Sequence, residues 1–301
     1  MENLIDIERL TKEEITSLID MALAFKKDTI TSCAKGKSAC LMFFENSTRT
    51  RFSFELAAKK LKMNVLHFDK DTSSVKKGET LKDTFENLYF IGIDTVIIRH
   101  SENKIIEKIL KNISYPLKFV NAGDGNNAHP TQALLDYMTM TEKIGSVQGK
   151  KIVICGDVAH SRVAKSNLAL LKKFDADVHF CAPDFFMPNN PQDYDVTWHS
   201  DIKEAIKDAD VVMLLRVQNE RLDSQTKEKS QVFSNLYRLN SQMLQQLAPN
   251  AILMHPGPVN REVEITSELL DSDKGMTILE QARNGLFVRM AVLNTIFGGQ
   301  A

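Results

Sequence analysis

The sequence has few cysteines, and none of them forms a motif. Its 301 residues contain only Cys33, Cys40, Cys155 and Cys181, with no C-x-x-C pair. Three of the four, all except Cys33, lie in or beside apolar runs, so we expect them to be small core residues. A chain without a disulfide framework is typical of a reducing compartment, and we expect the cytoplasm.

Long hydrophobic runs and an excess of charge are also missing. No run of about 18 apolar residues occurs, so we expect no membrane span. The stretch 1–6 lacks the basic-then-apolar layout of a signal peptide. Lys and Arg number 38 against 39 Asp and Glu, a net charge of −1. We therefore expect no general attraction to nucleic acid or membrane, and any anion site requires a local group of basic side chains.

Two common functional motifs are absent. The histidines form no H-E-x-x-H pattern, so we expect no metal. The turn at Gly156-Asp157 lacks the G-x-G-x-x-G fingerprint, which counts against a nicotinamide-dependent dehydrogenase. We therefore expect no cofactor.

The pattern of apolar residues indicates a layered α/β protein. A chain of this length suggests about two domains. Residues 9–27 predict an amphipathic helix, with Thr11 as N-cap and Glu14 completing a capping box. Apolar strands then alternate with helices, which predicts parallel sheets with helices on both faces. The alternation pauses at 145–149 and restarts at Lys151, which indicates a domain boundary.

The stretch 43–51, Phe-Phe-Glu-Asn-Ser-Thr-Arg-Thr-Arg, is the most informative in the chain. An apolar strand is expected over 39–44, and a helix face is expected from Phe54 to Leu61. The Ser-Thr-Arg-Thr run at 47–50 therefore falls at a strand-to-helix turn, where unpaired N–H groups favour an anion. Its hydroxyls and guanidinium suit a phosphate, although an ordinary helix N-cap uses the same residue types.

This run, followed by Ser53-Phe54-Glu55, resembles the carbamoyl-phosphate signature of the aspartate and ornithine carbamoyltransferases. His-Pro-Thr-Gln at 129–132 resembles that family's carbonyl-binding motif, and the polar loop 69–79 resembles its mobile substrate loop. The resemblance extends over 43–289, with the motifs in the family's order. The sequence departs from the family at Asn46, where Pro is usual, and at Gly257, where a bulkier residue is common.

The resemblance implies a carbamoyl-phosphate site drawn from the first half of the chain. Its residues would be Ser47, Thr48, Arg49, Thr50, Ser73, Arg99, His129 and Gln132. Three of them, Thr50, Arg99 and His129, would donate to the carbamoyl oxygen as it gains negative charge. Arg49 and Lys77 would stabilise the departing phosphate. The implied catalytic residues are Arg49, Thr50, Lys77, Arg99 and His129.

The second half of the chain carries the implied amine site. Arg162 begins a helix and Arg216 ends an apolar strand, and each could instead form a surface ion pair. Two arginines beyond the carboxyl ends of one sheet can clamp the two carboxylates of L-aspartate. Arg-x-Gln-x-Glu-Arg at 216–221 resembles the aspartate members, while the His-Cys-Leu-Pro of the ornithine members is replaced by His-Pro-Gly-Pro at 255–258. The implied aspartate-binding residues are Lys77, Arg162, Arg216, Gln218, Gly257 and Pro258.

The implied fold class is α/β, with two Rossmann-like domains, each a parallel sheet flanked by helices. A carbamoyl-phosphate-binding domain would span residues 1–136 and include a C-terminal helix at 286–301, and an aspartate-binding domain would span 137–285. The implied reaction carbamoylates L-aspartate, an early step of pyrimidine synthesis. The implied assembly is a homotrimer in which the 69–79 loop reaches a neighbouring subunit's site, and a regulatory chain or another pathway enzyme could also bind.

Three alternatives stay open on the sequence alone. The first is a carbamoyltransferase acting on a different amine, and the second is a nicotinamide-dependent dehydrogenase. The third is a non-catalytic anion-binding or scaffold protein. Turnover of carbamoyl phosphate with a panel of amines separates all of them.

Overall fold

A computed structural model describes residues 1–69, 79–217 and 226–299, and for 226–229 it describes the backbone alone. Three of the expected site residues, Ser73, Lys77 and Gln218, lie outside the described residues. Within these ranges, no helix combines the length and apolar character needed to cross a membrane.

Two compact units divide the chain. One comprises Met1–Leu135 with Arg283–Ala301, and the other comprises Asp136–Ala282. The first unit contains the strands β1 (Ser38–Phe43), β2 (Asn64–Phe68), β3 (Thr95–His100) and β4 (Lys118–Asp124). Its helices are α1 (Lys12–Lys26), α2 (Thr48–Lys60), α3 (Leu81–Phe90), α4 (Ile105–Leu110) and the beginning of α5 (Pro130–Ile144). The capping box expected at Thr11 and Glu14 is confirmed at the start of α1.

The four strands form one parallel sheet in the order β2-β1-β3-β4. Phe43 at the end of β1 is paired with Arg99 of β3. Beyond a local irregularity, His100 is paired with Asp124 at the end of β4. Because the strands are parallel, the segments that follow β1, β3 and β4 emerge at the same edge of the sheet, where ligands bind in such folds.

The apolar residues of these strands pack against α3 and α4. Phe85 of α3 meets Phe119 of β4 edge to face, with ring centroids 5.3 Å apart. Cys40 lies in the same cluster, and burial raises the pKa of its thiol to about 12. The cysteine therefore stays protonated at neutral pH, as expected of a core residue.

The last helix, α10 (Met276–Thr295), returns the chain to the first unit. It begins about ten residues before the expected start at 286. Gly285 lies inside this helix. A Cβ there would come within 2.3 Å of the Arg289 guanidinium and 3.1 Å of Leu135, so a larger residue at this position would make both side chains shift.

The second unit contains a five-stranded parallel sheet. Its strands are β5 (Lys151–Cys155), β6 (Asp177–Cys181), β7 (Thr197–His199), β8 (Val211–Leu214) and β9 (Ile252–Met254), and its helices are α6 (Arg162–Lys173), α7 (Ile202–Ile206), α8 (Thr226–Tyr237) and α9 (Ser267–Leu270). The strand order is β7-β6-β5-β8-β9. The α/β class with two parallel sheets flanked by helices is thus confirmed. The edge strand β7 was not predicted from the sequence, because three residues are too few to show the alternation of apolar and polar side chains that identifies a strand.

The attachment of α10 yields a stability prediction. Asn294 is 1% exposed, and its side-chain oxygen accepts a 2.7 Å hydrogen bond from the Cys33 N–H. Asn294→Ala leaves that donor without its partner and should lower the free energy of unfolding by about 1–3 kcal/mol. Urea titration followed by circular dichroism measures the loss.

The matched control is Asn112→Ala. Asn112 is exposed, and its side chain donates only to Lys108 within the same surface turn. Surface changes of this kind usually stay within about 0.5 kcal/mol. Equal losses in both variants would contradict the assigned role of Asn294.

Candidate active site

The turn after β1 presents polar groups that its own helix does not use. Ser47 is the N-cap of α2, in an extended conformation (φ −161°, ψ 95°), yet its side chain makes no capping hydrogen bond. The first turn of α2 contains no acidic residue, and Thr48 and Arg49 in it are exposed. The hydroxyl at the N-cap therefore does not act as an ordinary cap. This arrangement offers an anion the helix N-terminus, hydroxyls and a guanidinium.

Arg99 connects this turn to the rest of the sheet edge. Its Nε lies 3.5 Å from Oε2 of Glu45, which belongs to the turn after β1. Its NH1 group donates to the carbonyl of Ala122 in β4, at 3.3 Å. The guanidinium therefore bridges β1 and β4 across the end of β3 and is held in place from both sides.

Asp124 organises the loop that leads from β4 to α5. It is 3% exposed, and its two oxygens accept four hydrogen bonds of 2.7–3.0 Å. The donors are the backbone N–H groups of Lys104 and Ala128 and the side-chain amides of Asn121 and Asn127. The sequence analysis missed this role. The Asp-Gly-Asn-Asn run at 124–127 predicts a tight loop, but nothing local identifies the partners of the carboxylate.

His129 and Gln132 stand at the end of that loop. The carbonyl of His129 accepts from the N–H of Gln132 at 2.9 Å, which starts α5. Both side chains are buried, with 5% and 7% of their surface exposed. Because burying polar groups is costly unless they are satisfied, such side chains hold a defined orientation. The loop thus places an imidazole and an amide at the sheet edge.

The first unit therefore brings together every described residue of the expected carbamoyl-phosphate site at one sheet edge. These residues are Ser47, Thr48, Arg49, Thr50, Arg99, His129 and Gln132. The set combines groups suited to a phosphate with N–H and O–H donors suited to a carbonyl oxygen that gains charge. Among the described residues, no group of three or more His, Cys, Asp or Glu side chains is arranged to hold a metal ion.

In the second unit, polar and basic residues also follow the carboxyl end of a central strand, β5. Arg162 is the first residue of α6 and is 7% exposed, and the preceding Ser161 caps the helix by accepting from the Ala164 N–H at 3.1 Å. In the turn after β5, the buried Asp157 contacts His160 Nδ1 at 2.8 Å. A basic side chain is thus held at the carboxyl edge of the second sheet by a capped helix start.

Two neighbouring strands bring further expected residues to the same edge. Arg216 follows β8, which lies beside β5. The turn after β5 passes close to the residue before Arg216, because a Cβ at Gly156 would come within 2.8 Å of the Leu215 carbonyl. This close approach explains the glycine at position 156. Gly257 and Pro258 follow β9, and the Gly257 N–H donates to His255 Nδ1 at 2.8 Å. Arg162, Arg216, Gly257 and Pro258 therefore share one sheet edge of the second unit.

Two family models match the chain. One is described as aspartate/ornithine carbamoyltransferase, carbamoyl-P binding domain, and matches residues 2–142. The other is described as aspartate/ornithine carbamoyltransferase, Asp/Orn binding domain, and matches residues 148–296. Together they account for most of the sequence.

Curated relatives are similar over nearly their full length. The aspartate carbamoyltransferase catalytic subunit of Malacoplasma penetrans is 45% identical over 300 residues, which cover 98% of this chain and 96% of the relative. The catalytic subunit of Latilactobacillus sakei is 42% identical over 290 residues, which cover 96% of this chain and 94% of the relative.

Solved structures share the fold. One is aspartate transcarbamoylase of Trypanosoma cruzi in complex with carbamoyl aspartate and phosphate. Its TM-score is 0.85 at 28% identity, and the match covers 100% of this chain and 96% of the T. cruzi chain. Ornithine carbamoyltransferase of Pyrococcus furiosus has a TM-score of 0.86 at 28% identity, and the match covers 100% of this chain and 98% of the P. furiosus chain. The fold therefore does not by itself choose between the two amines.

The geometry of the first sheet edge predicts phosphate binding that depends on Arg49. Removing a charge-assisted hydrogen bond costs about 1.5–3 kcal/mol, so Arg49→Ala should weaken the binding of inorganic phosphate by about tenfold to a hundredfold. Isothermal titration calorimetry on folded protein measures the change.

Arg51→Ala is the control, because the side chain of Arg51 instead contacts His67 Nδ1 at 3.3 Å. This variant should bind phosphate with wild-type affinity. If Arg49→Ala also binds phosphate normally, the turn is only a helix start.

Proposed function

Because the chain belongs to the aspartate/ornithine carbamoyltransferase family, we propose that it transfers the carbamoyl group of carbamoyl phosphate to the amine of L-aspartate. The products are N-carbamoyl-L-aspartate and phosphate, in an early step of pyrimidine synthesis. The observation that carries the proposal is the gathering of the carbamoyl-phosphate residues at one sheet edge, with Arg99 bridging β1 and β4. The full-length similarity to aspartate carbamoyltransferase catalytic subunits supports the same reaction.

The chemistry requires stabilisation of charge rather than a protein nucleophile. The substrate amine attacks the carbamoyl carbon, and the carbonyl oxygen gains negative charge. Thr50, Arg99 and His129 donate to that oxygen, and removal of one such donor typically costs about 3–4 kcal/mol of transition-state stabilisation. The bond from carbon to phosphate oxygen then breaks, and Arg49 stabilises the phosphate that leaves. Gln132 holds the carbamoyl amide.

The choice of amine rests on residues of the second unit. Arg162 and Arg216 offer two guanidiniums, which suit the two carboxylates of aspartate. Ornithine has one carboxylate and a distal cation, which a second guanidinium would repel. Gly257 and Pro258, in the His-Pro-Gly-Pro at 255–258, follow β9, the strand next to β8, and their backbone would complete the aspartate site. The proposed assignment therefore places carbamoyl phosphate on residues 1–136 with 286–301, and L-aspartate on 137–285.

The proposed assembly is a homotrimer in the cytoplasm with shared active sites. Ser73 and Lys77 would act in the site of the neighbouring subunit, and Gln218 would join the aspartate-binding residues. A head-to-tail interface that closes on itself gives a ring. The support is the match of the loop 69–79 to the family's substrate loop. A regulatory chain or another pathway enzyme remains a proposed partner.

The substrate assignment predicts selective turnover. With carbamoyl phosphate saturating, purified protein should release phosphate in the presence of L-aspartate and not in the presence of L-ornithine. A colorimetric phosphate assay with both amines measures this, and carbamoyl phosphate alone is the blank that corrects for its spontaneous breakdown. Equal or faster turnover with L-ornithine would contradict the assignment.

The shared site predicts recovery of activity when two inactive variants are mixed. Arg49→Ala and Lys77→Ala should each be nearly inactive. After joint unfolding and refolding at equal amounts, about three quarters of trimers are mixed and one site in three is intact, so activity should return to about one quarter of wild type.

The control is wild-type protein carried through the same refolding. If Lys77 acted in the site of its own chain, every site would keep one defect. A mixture as inactive as its parents, with the control recovered, would rule out the shared site.

A further inference from the structure

Glu264 has a buried carboxylate that the proposed reaction does not use. It contacts the backbone next to the expected aspartate-binding residue Arg216. Glu264 is 0% exposed. Its Oε1 accepts from the Val217 N–H and from the Asn260 side-chain amide, each at 2.8 Å. Its Oε2 accepts from the Asn260 N–H at 2.7 Å. A carboxylate without solvent needs such donors, because burying an unpaired charge is very costly.

The contacts of Glu264 hold one short piece of backbone from both sides. The N–H of Val217 donates to Glu264, and the carbonyl of Val217 accepts from the Asn260 side-chain amide at 3.1 Å. Val217 lies directly between Arg216 and Gln218, two of the expected aspartate-binding residues. The backbone directly after Arg216 is thus held by a segment that is distant in sequence.

The same carboxylate faces the segment that carries Gly257 and Pro258. The Gly257 N–H donates to His255 Nδ1 at 2.8 Å, so that nitrogen acts as an acceptor. His255 Nε2 lies 3.7 Å from Oε2 of Glu264, and both side chains are fully buried. Glu264 therefore lies between the backbone of Val217 and the imidazole that holds Gly257.

From His255, a chain of hydrogen bonds leads to α6. The His255 N–H donates to Gln281 at 2.9 Å, and the amide of Gln281 donates to Asp136 at 2.6 Å. Asp136 also accepts from Asn167 at 2.8 Å. Asn167 belongs to α6, the helix that begins with Arg162. The three segments of the second unit that carry Arg162, Arg216 and Gly257–Pro258 are thus connected through buried polar side chains.

We propose that Glu264 is a positioning residue for the aspartate site, which sets the backbone at Arg216–Val217 and the Gly257–Pro258 segment in a fixed relation to each other. This inference rests on the proposed function. Glu264 contacts backbone groups and a histidine that hold the expected ligands, so it acts through them. Its loss should weaken the binding of L-aspartate while leaving the carbamoyl-phosphate site of the first unit unchanged.

Glu264→Gln tests the proposal with almost no change in volume. Whichever way the amide is oriented, its NH2 group faces an N–H donor, either that of Val217 or that of Asn260. The KM for L-aspartate should rise by at least about tenfold, equivalent to roughly 1.4 kcal/mol, while kcat changes by less than about threefold. The dissociation constant of inorganic phosphate, measured by calorimetry without L-aspartate, should stay within about twofold of wild type.

Glu262→Gln is the matched control, two residues away. The side chain of Glu262 is 53% exposed and pairs with Arg238 and the Ser267 N–H, not with the Val217 backbone. It should leave the KM for L-aspartate unchanged. An equal rise in both variants would overturn the proposal, as would a wild-type KM in Glu264→Gln. So would a parallel loss of phosphate affinity, because it would indicate a general folding defect.

Asn260→Ala decides the question if Glu264→Gln does not fold. It removes the hydrogen bond to the Val217 carbonyl and one of those to Glu264 but keeps the buried carboxylate. A selective rise in the KM for L-aspartate supports the proposal, and a wild-type value overturns it. Failure of the proposed function would give a different result, because the wild-type protein would then show no turnover with L-aspartate at all.

Discussion

Parallel pairing in a fixed register is the constraint on which both site regions depend. In the first sheet, the pairing of Phe43 with Arg99 places the end of β3 beside the turn that precedes α2. Arg99 can then reach Glu45 on one side and Ala122 on the other. A shift of the register by one residue would turn the guanidinium to the opposite face of the sheet. The placement of the residues expected to donate to the carbamoyl oxygen thus follows from backbone hydrogen bonds in the apolar core.

Local signals in the sequence predicted the elements whose ends carry function. Thr11 and Glu14 predicted the start of α1, and the Ser-Thr-Arg-Thr run predicted the turn before α2. In both cases the relevant contacts span only a few residues. Other features depend on distant partners, and these were missed. Glu264 meets Val217 across 47 residues of sequence, and no local pattern shows that pairing. Gly285 lies inside α10, and its close contact with Leu135 is visible only in three dimensions.

The role of a residue was harder to infer than its place. An arginine at a strand end has the same sequence pattern whether it binds a ligand or forms a surface ion pair. The motifs that resemble the carbamoyltransferase family supplied the roles, and the structure shows that the described residues of the first set share one sheet edge. Composition argued only against some classes of partner. A net charge near zero predicts no general attraction to nucleic acid or membrane, so any anion site requires a local group of basic side chains.

Each unit contains a buried acid whose carboxylate accepts hydrogen bonds from backbone N–H groups. Asp124 accepts from the N–H groups of Lys104 and Ala128, and Glu264 accepts from those of Val217 and Asn260. A carboxylate satisfied by N–H donors is stable when buried and adds rigidity to the loop it holds. The loops that end at the two sheet edges are therefore preorganised by carboxylates bonded to backbone N–H groups.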